Sequence, residues 1–154
     1  MNEFICKGLF RLEYLLYLIL CLFLFQPVSA EEMLGVDDIV FICNRDVFHN
    51  SLSKSDIQKI FLGKKTTWDD RKDLIVFTMK PSELHSVFLR EYIGRSQQQY
   101  KNYWKQLLFI GKGTPPRSFK SEAGIIEKVK NTSGAIAYVS KNADISSVKK
   151  INIE

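Results

Sequence analysis

The stretch from Leu74 to Ile93, LIVFTMKPSELHSVFLREYI, restricts the folds open to this chain more than any other. Leu74, Ile75, Val76 and Phe77 are consecutive apolar residues, the pattern of a short strand covered on both faces. Pro81 ends that run, and Ser82 follows with a hydroxyl suited to accept a free backbone N–H of a new helical turn. Beyond it Leu84, Val87, Phe88 and Tyr92 recur at helical spacing, and Gly94 supplies a stop. A covered strand that runs directly into an amphipathic helix belongs to a layered α/β arrangement.

The start of that helix also has chemistry. Lys80 stands just before it, and Ser82 and His85 place a hydroxyl and an imidazole on its first turn. Unpaired N–H groups and the helix dipole favour an anion at such a point. The same serine serves equally well as a cap and nothing more.

The rest of the chain repeats the alternation. Ile39-Val40-Phe41-Ile42 reads as a first covered strand, followed by a polar loop from Asn44 to Ser51. Ser53 and Asp56 have capping-box spacing ahead of Ile57, Ile60 and Phe61, and Gly63 closes that helix. Ser96 and Gln99 repeat the box before a stripe of Tyr100, Tyr103, Trp104, Leu107 and Leu108, which is expected to face the core. Gly111 to Pro116 reads as a structured turn. Ser121 caps a further helix bearing Ile125, Ile126 and Val129. A turn at Asn131–Gly134 leads into the strand Ala135–Val139, and Ile151 and Ile153 suggest a last strand alternating at the sheet's edge. The expected architecture is a single three-layer α/β domain with a largely parallel or mixed sheet covered by helices.

The first thirty residues read differently. Lys7 and Arg11 precede an apolar core from Tyr14 to Phe25, and Pro27 and Val28-Ser29-Ala30 follow. This is the pattern of a signal peptide, with cleavage expected after Ala30, one domain over residues 31–154 and a periplasmic location. The apolar core falls short of the ~20 residues that span a bilayer. An uncleaved anchor is the alternative.

Several function classes find little support. Cys43 is the one cysteine after Ala30, so it reads as a lone buried thiol. The two histidines, His49 and His85, are far apart in sequence, and no metal or cofactor is expected. Ser82 and His85 are one helical turn apart, but no third group completes a nucleophilic set, so no enzyme is expected. The formal charge of +5 and the pI near 9.1 come from lysines read as a scattered, solvated surface, not as a nucleic-acid patch.

Three segments together resemble a known family. They are Ile60-Phe61-Leu62-Gly63-Lys64 with Trp68-Asp69, then Ser82 to Phe88, and last Gly124 to Val129 with Ser133-Gly134-Ala135-Ile136-Ala137-Tyr138-Val139. In order and spacing they are similar to the phosphate-binding proteins of bacterial phosphate ABC transporters. The match is closest to short, single-lobe members of the periplasmic-binding-protein-like group. The resemblance implies the fold of one lobe, no catalysis, and phosphate or a similar oxyanion as ligand. It also implies a membrane transporter or a second lobe or chain as partner. It places Ser82 on the family's ligand serine and Thr78 where the family has an arginine, leaving Lys80 as the nearest cation. Ser121, at another helix start, joins them as a candidate with His85. Glu83 and Leu84 stand where the family has glycine and threonine. These departures support a second reading: an interaction or sensory module with the same fold and no small-molecule ligand.

Overall fold

The computed structural model describes residues 35–69 and 71–154. The signal-peptide reading of residues 1–30 and its cleavage point lie outside the described residues. A helical turn at Val36–Asp38 leads into β1 (Ile39–Cys43). Then follow β2 (Ser51–Leu52), α1 (Lys54–Phe61), β3 (Ile75–Met79) and α2 (Glu83–Phe88). Next come α3 (Gln97–Phe109), β4 (Arg117–Phe119), α4 (Glu122–Lys130), β5 (Ala135–Ser140) and β6 (Lys149–Ile153).

The helices begin where the serines are. Ser53 and Ser96 each accept the N–H three residues on, and the side chains of Asp56 and Gln99 return to the cap's own N–H. Ser82 and Ser121 cap α2 and α4 without the reciprocal bond. After Phe88 the helix widens into a π-helical turn, Leu89–Ile93, and ends at left-handed Gly94 (φ 69°).

The sheet is mixed, with strand order β2-β6-β1-β5-β3-β4. β1 runs antiparallel to both β5 and β6, whereas β3 is parallel to β5 and to β4, and β2 is parallel to β6. Four sequence expectations need correction. β6 is interior, because the two-residue β2 pairs along its outer side and takes the edge. β2 and β4 were not expected; each is too short to show a period. β3 begins one residue late, and Ile75 is 37% exposed, so that strand is not covered along its whole length. Leu108 was placed in the core and is 57% exposed, because it borders an open groove with Thr78 and Ser118 instead of closing on the sheet.

One face of the sheet carries an aromatic cluster. Phe88 of α2 stacks on Tyr138 of β5 at 3.9 Å, Phe61 of α1 meets Phe88 edge-on at 4.8 Å, and Phe41 of β1 meets Tyr92 at 4.8 Å. Alternation along the strands turns Phe77 and Phe119 to the other face, where α4 lies; their rings are 5.5 Å apart. Cys43 is buried and free, and burial pushes its thiol up to about 11, so it stays protonated and inert.

Two glycines are fixed by close approach. Gly134 has φ 68°, and a Cβ there would lie 2.1 Å from the Asp73 carbonyl oxygen. Its own carbonyl accepts from the Trp68 indole at 2.9 Å and from the Ile75 N–H at 3.2 Å. Gly63 has φ 68°, and a Cβ there would meet the Trp104 ring at 2.6 Å.

Candidate functional site

β3 and β4 are parallel neighbours, so both leave the sheet at the same end. Thr78 pairs with Ser118 and Met79 with Phe119, and the Lys80 N–H donates to the Phe119 carbonyl at 2.7 Å, tying the two exits together. Each strand then turns into a helix within a few residues, through Lys80-Pro81-Ser82 into α2 and through Lys120-Ser121 into α4. The two helices lie on opposite faces of the sheet. Crevices at the carboxyl ends of parallel strands, where helices depart to both faces, are where open α/β sheets bind ligands.

The local electrostatics follow from the caps. Ser82 Oγ accepts the His85 N–H and Ser121 Oγ accepts the Gly124 N–H, each at 3.2 Å. The N–H groups of Glu83, Leu84, Glu122 and Ala123 have no partner among the described residues. Lys80, Ser82, Lys120 and Ser121 are all exposed around them. The Glu122 carboxylate is turned away: it accepts from the Ser140 N–H at 2.6 Å and the Ser140 hydroxyl at 3.0 Å. What remains at this end of the sheet is two sets of open N–H donors with two lysines and the exposed Glu83 carboxylate on the first turn of α2.

The candidate residues therefore fall into two groups. Ser82, Lys80 and Ser121 form an exposed rim. Thr78 and His85 are buried (4% and 6% exposed) and line a groove of about 330 Å³ between the sheet and α3. Pro81 forms the groove's edge nearest the rim, Ser118 shares its floor with Thr78, and Lys101 and Lys105 stand along its α3 side. The sequence reading missed Ser118, Lys120, Lys101 and Lys105. The only signal for the last two was their four-residue spacing on one helix face.

His85 has a specific setting. Its Nδ1 lies 2.5 Å from the Tyr138 hydroxyl, which also accepts the Met79 N–H at 3.3 Å. Burial lowers the imidazole to about 4, so it is neutral at pH 7 and contributes dipole, not charge, to the groove. Among the described residues the Ser82 hydroxyl meets only the backbone N–H of His85, while the ring is turned inward to Tyr138. That geometry gives no serine–imidazole pair.

Trp104, on the α3 side, buries its indole N–H without a hydrogen-bond partner among the described residues. The neighbouring Tyr100 hydroxyl already donates to the Phe61 carbonyl at 2.8 Å. Burial raises the Tyr100 phenol, and the nearby indole offsets this only in part. Among the described residues no cluster of three His, Cys, Asp or Glu side chains is placed to hold a metal.

The fold is that of one lobe of a substrate-binding protein. Solved structures that share it include an ABC-type phosphate transport receptor from Vibrio cholerae, with TM-score 0.60 and 16% identity, over 75% of this chain and 46% of that one. A putative phosphate ABC transporter substrate-binding protein from Clostridium perfringens, solved with bound phosphate, matches with TM-score 0.59 and 19% identity, over 75% of this chain and 44% of its own. PstS from Borrelia burgdorferi matches with TM-score 0.59 and 14% identity, over 76% and 47%. The chain thus spans less than half the length of these structures. No protein-family model matches the sequence, and no curated protein does.

Proposed function

We propose that this chain is a solute-binding module that takes phosphate or a related tetrahedral oxyanion at the open starts of α2 and α4. One observation carries the reading: two serine-capped helices begin at the ends of adjacent parallel strands, and their open N–H groups serve one end of the sheet. Lys80 and Lys120 supply positive charge there. The shared fold with phosphate transport receptors supports this choice of anion. On the same reading residues 1–30 are a signal peptide cleaved after Ala30 and the module works in the periplasm. Its partner is a membrane transporter or a second lobe that closes the site.

An exposed rim has a consequence for affinity. Hydrogen bonds and charges facing water contribute less than in a closed cleft. The isolated chain should bind phosphate only in the region of ~1 mM, equivalent to about 4 kcal/mol. Calorimetric titration with phosphate and with sulfate at low salt tests this. Saturable heat for either anion supports the reading, and none up to roughly 20 mM overturns it for the isolated chain.

The alternative, an interaction module without a small-molecule ligand, is favoured by a different observation. Phe109 is 92% exposed, between Leu108 and Ile110 at 57% and 56%.

A further inference from the structure

From Tyr92 to Ser121 the chain contains no aspartate or glutamate but has Arg95, Lys101, Lys105, Lys112, Arg117 and Lys120. This one segment carries more positive charge than the net +5 of the whole chain. None of its cations enters an ion pair among the described residues. Arg95 and Arg117 instead lie over the rings of Tyr103 and Phe119. The segment builds α3 and β4, and at the carboxyl end of α3 are Leu108, Phe109 and Ile110, the longest run of exposed large apolar residues described.

The shape of that tip limits what can cover it. Successive helical residues are about 100° apart, so the three side chains fan over roughly 200° around the helix end. A groove on a protein partner takes one face of a helix, at three- and four-residue spacing. A lipid interface surrounds an inserted tip on every side. Cations flank it: Lys105 lies one turn back, and Lys112 is held beside it because its N–H donates to the Leu107 carbonyl at 2.9 Å, just after left-handed Gly111. Among the described residues no helix is long and apolar enough to cross a membrane, so contact of this kind is interfacial.

We propose that the carboxyl-terminal tip of α3 docks this protein on an anionic lipid bilayer. Leu108, Phe109 and Ile110 enter the boundary between headgroups and acyl chains. Lys101, Lys105 and Lys112 meet the headgroup phosphates. The docking surface stands whether or not an anion binds at the helix starts.

The compact unit Leu34–Glu154, which contains the described hydrophobic core, and the full chain both serve for the test. Each is co-sedimented with phosphatidylglycerol-containing vesicles and with pure phosphatidylcholine vesicles. Partitioning is expected to be at least ~10-fold stronger on the anionic vesicles and to fall steeply as salt rises. Phe109→Ser, at a side chain almost wholly in solvent, should keep the wild-type melt and weaken binding about tenfold. Replacing Lys101, Lys105 and Lys112 with glutamine should weaken it roughly a hundredfold, about fivefold for each lysine. Equal partitioning on the two vesicle types, or unchanged binding by Phe109→Ser, overturns the proposal. So does a wild-type dimer in sedimentation velocity that Phe109→Ser abolishes, since the tip then joins two copies of this chain. If the lysine variant melts early, the Phe109→Ser and salt arms decide.

Discussion

The Tyr138 hydroxyl and the His85 imidazole form a buried pair, oxygen to Nδ1 at 2.5 Å, that ties the central strand β5 to α2 beneath the open helix start. The hydroxyl also accepts the Met79 N–H at 3.3 Å, so one oxygen joins β5, the end of β3 and α2. Tyr138→Phe keeps the ring stacked on Phe88 but removes the acceptor for Met79 and the hydrogen-bond partner of His85. A loss of about 1–3 kcal/mol is expected in chemical denaturation. No change in midpoint would show that the pair does not hold these elements together.

The same histidine makes stability depend on pH. Burial holds His85 near 4 in the folded protein, below its ordinary value of 6.5. Its neutral form is the one that fits, so its contribution is complete above the unfolded pKa. As pH falls from about 6.5 towards 4 the unfolded chain takes up the proton and the contribution is lost. The loss between pH 7 and pH 4.5 should be on the order of 2 kcal/mol. His85→Gln, which does not titrate, should remove that part of the pH dependence. An identical pH profile for the two proteins would place the titration elsewhere.

The turn at Gly134 gives a sharper contrast. Gly134→Ala forces a Cβ against the Asp73 carbonyl at a positive φ, and should cost at least ~3 kcal/mol. Gly94→Ala has a similar φ but nothing within 4 Å, and should cost only about 1 kcal/mol. Thermal melts of the two variants compare them directly. Equal losses would mean that the approach of Asp73 is not what fixes Gly134.

These contrasts also show what could be read from the chain. The serines at 53, 82, 96 and 121 were legible as caps because capping is local, settled within three residues. The strands around Phe41, Phe77 and Ile136 were legible as apolar runs. Strand order was not, because pairing β1 antiparallel between β5 and β6 depends on contacts about a hundred residues apart. Leu108 shows the limit of periodicity: it continues the apolar stripe of Tyr100, Trp104 and Leu107, yet it borders an open groove and not packed core. At the candidate site Ser82, Lys80 and Ser121 were accessible from helix starts. Their separation from Thr78 and His85, exposed rim against buried groove, depends on which way strand residues face.

Substitution at Ser82 separates capping from binding. Ser82→Ala removes the cap and should lower stability by roughly 1 kcal/mol. Ser82→Asp still caps α2 but puts a negative charge among the open N–H groups. It should melt close to wild type and lose phosphate and sulfate binding in calorimetry. Binding equal to wild type in Ser82→Asp would reduce this serine to a cap.

The most direct measurement of the proposed site is the shift of backbone amide resonances as phosphate is added to uniformly ¹⁵N-labelled protein. If the anion sits at the two helix starts, the largest shifts are expected at the open amides of Glu83, Leu84, Glu122 and Ala123. All four should share one saturation curve and be silent in Ser82→Asp. Largest shifts along the groove at Lys101, Lys105 and His85, or none up to tens of millimolar phosphate, would contradict an oxyanion site at the ends of β3 and β4.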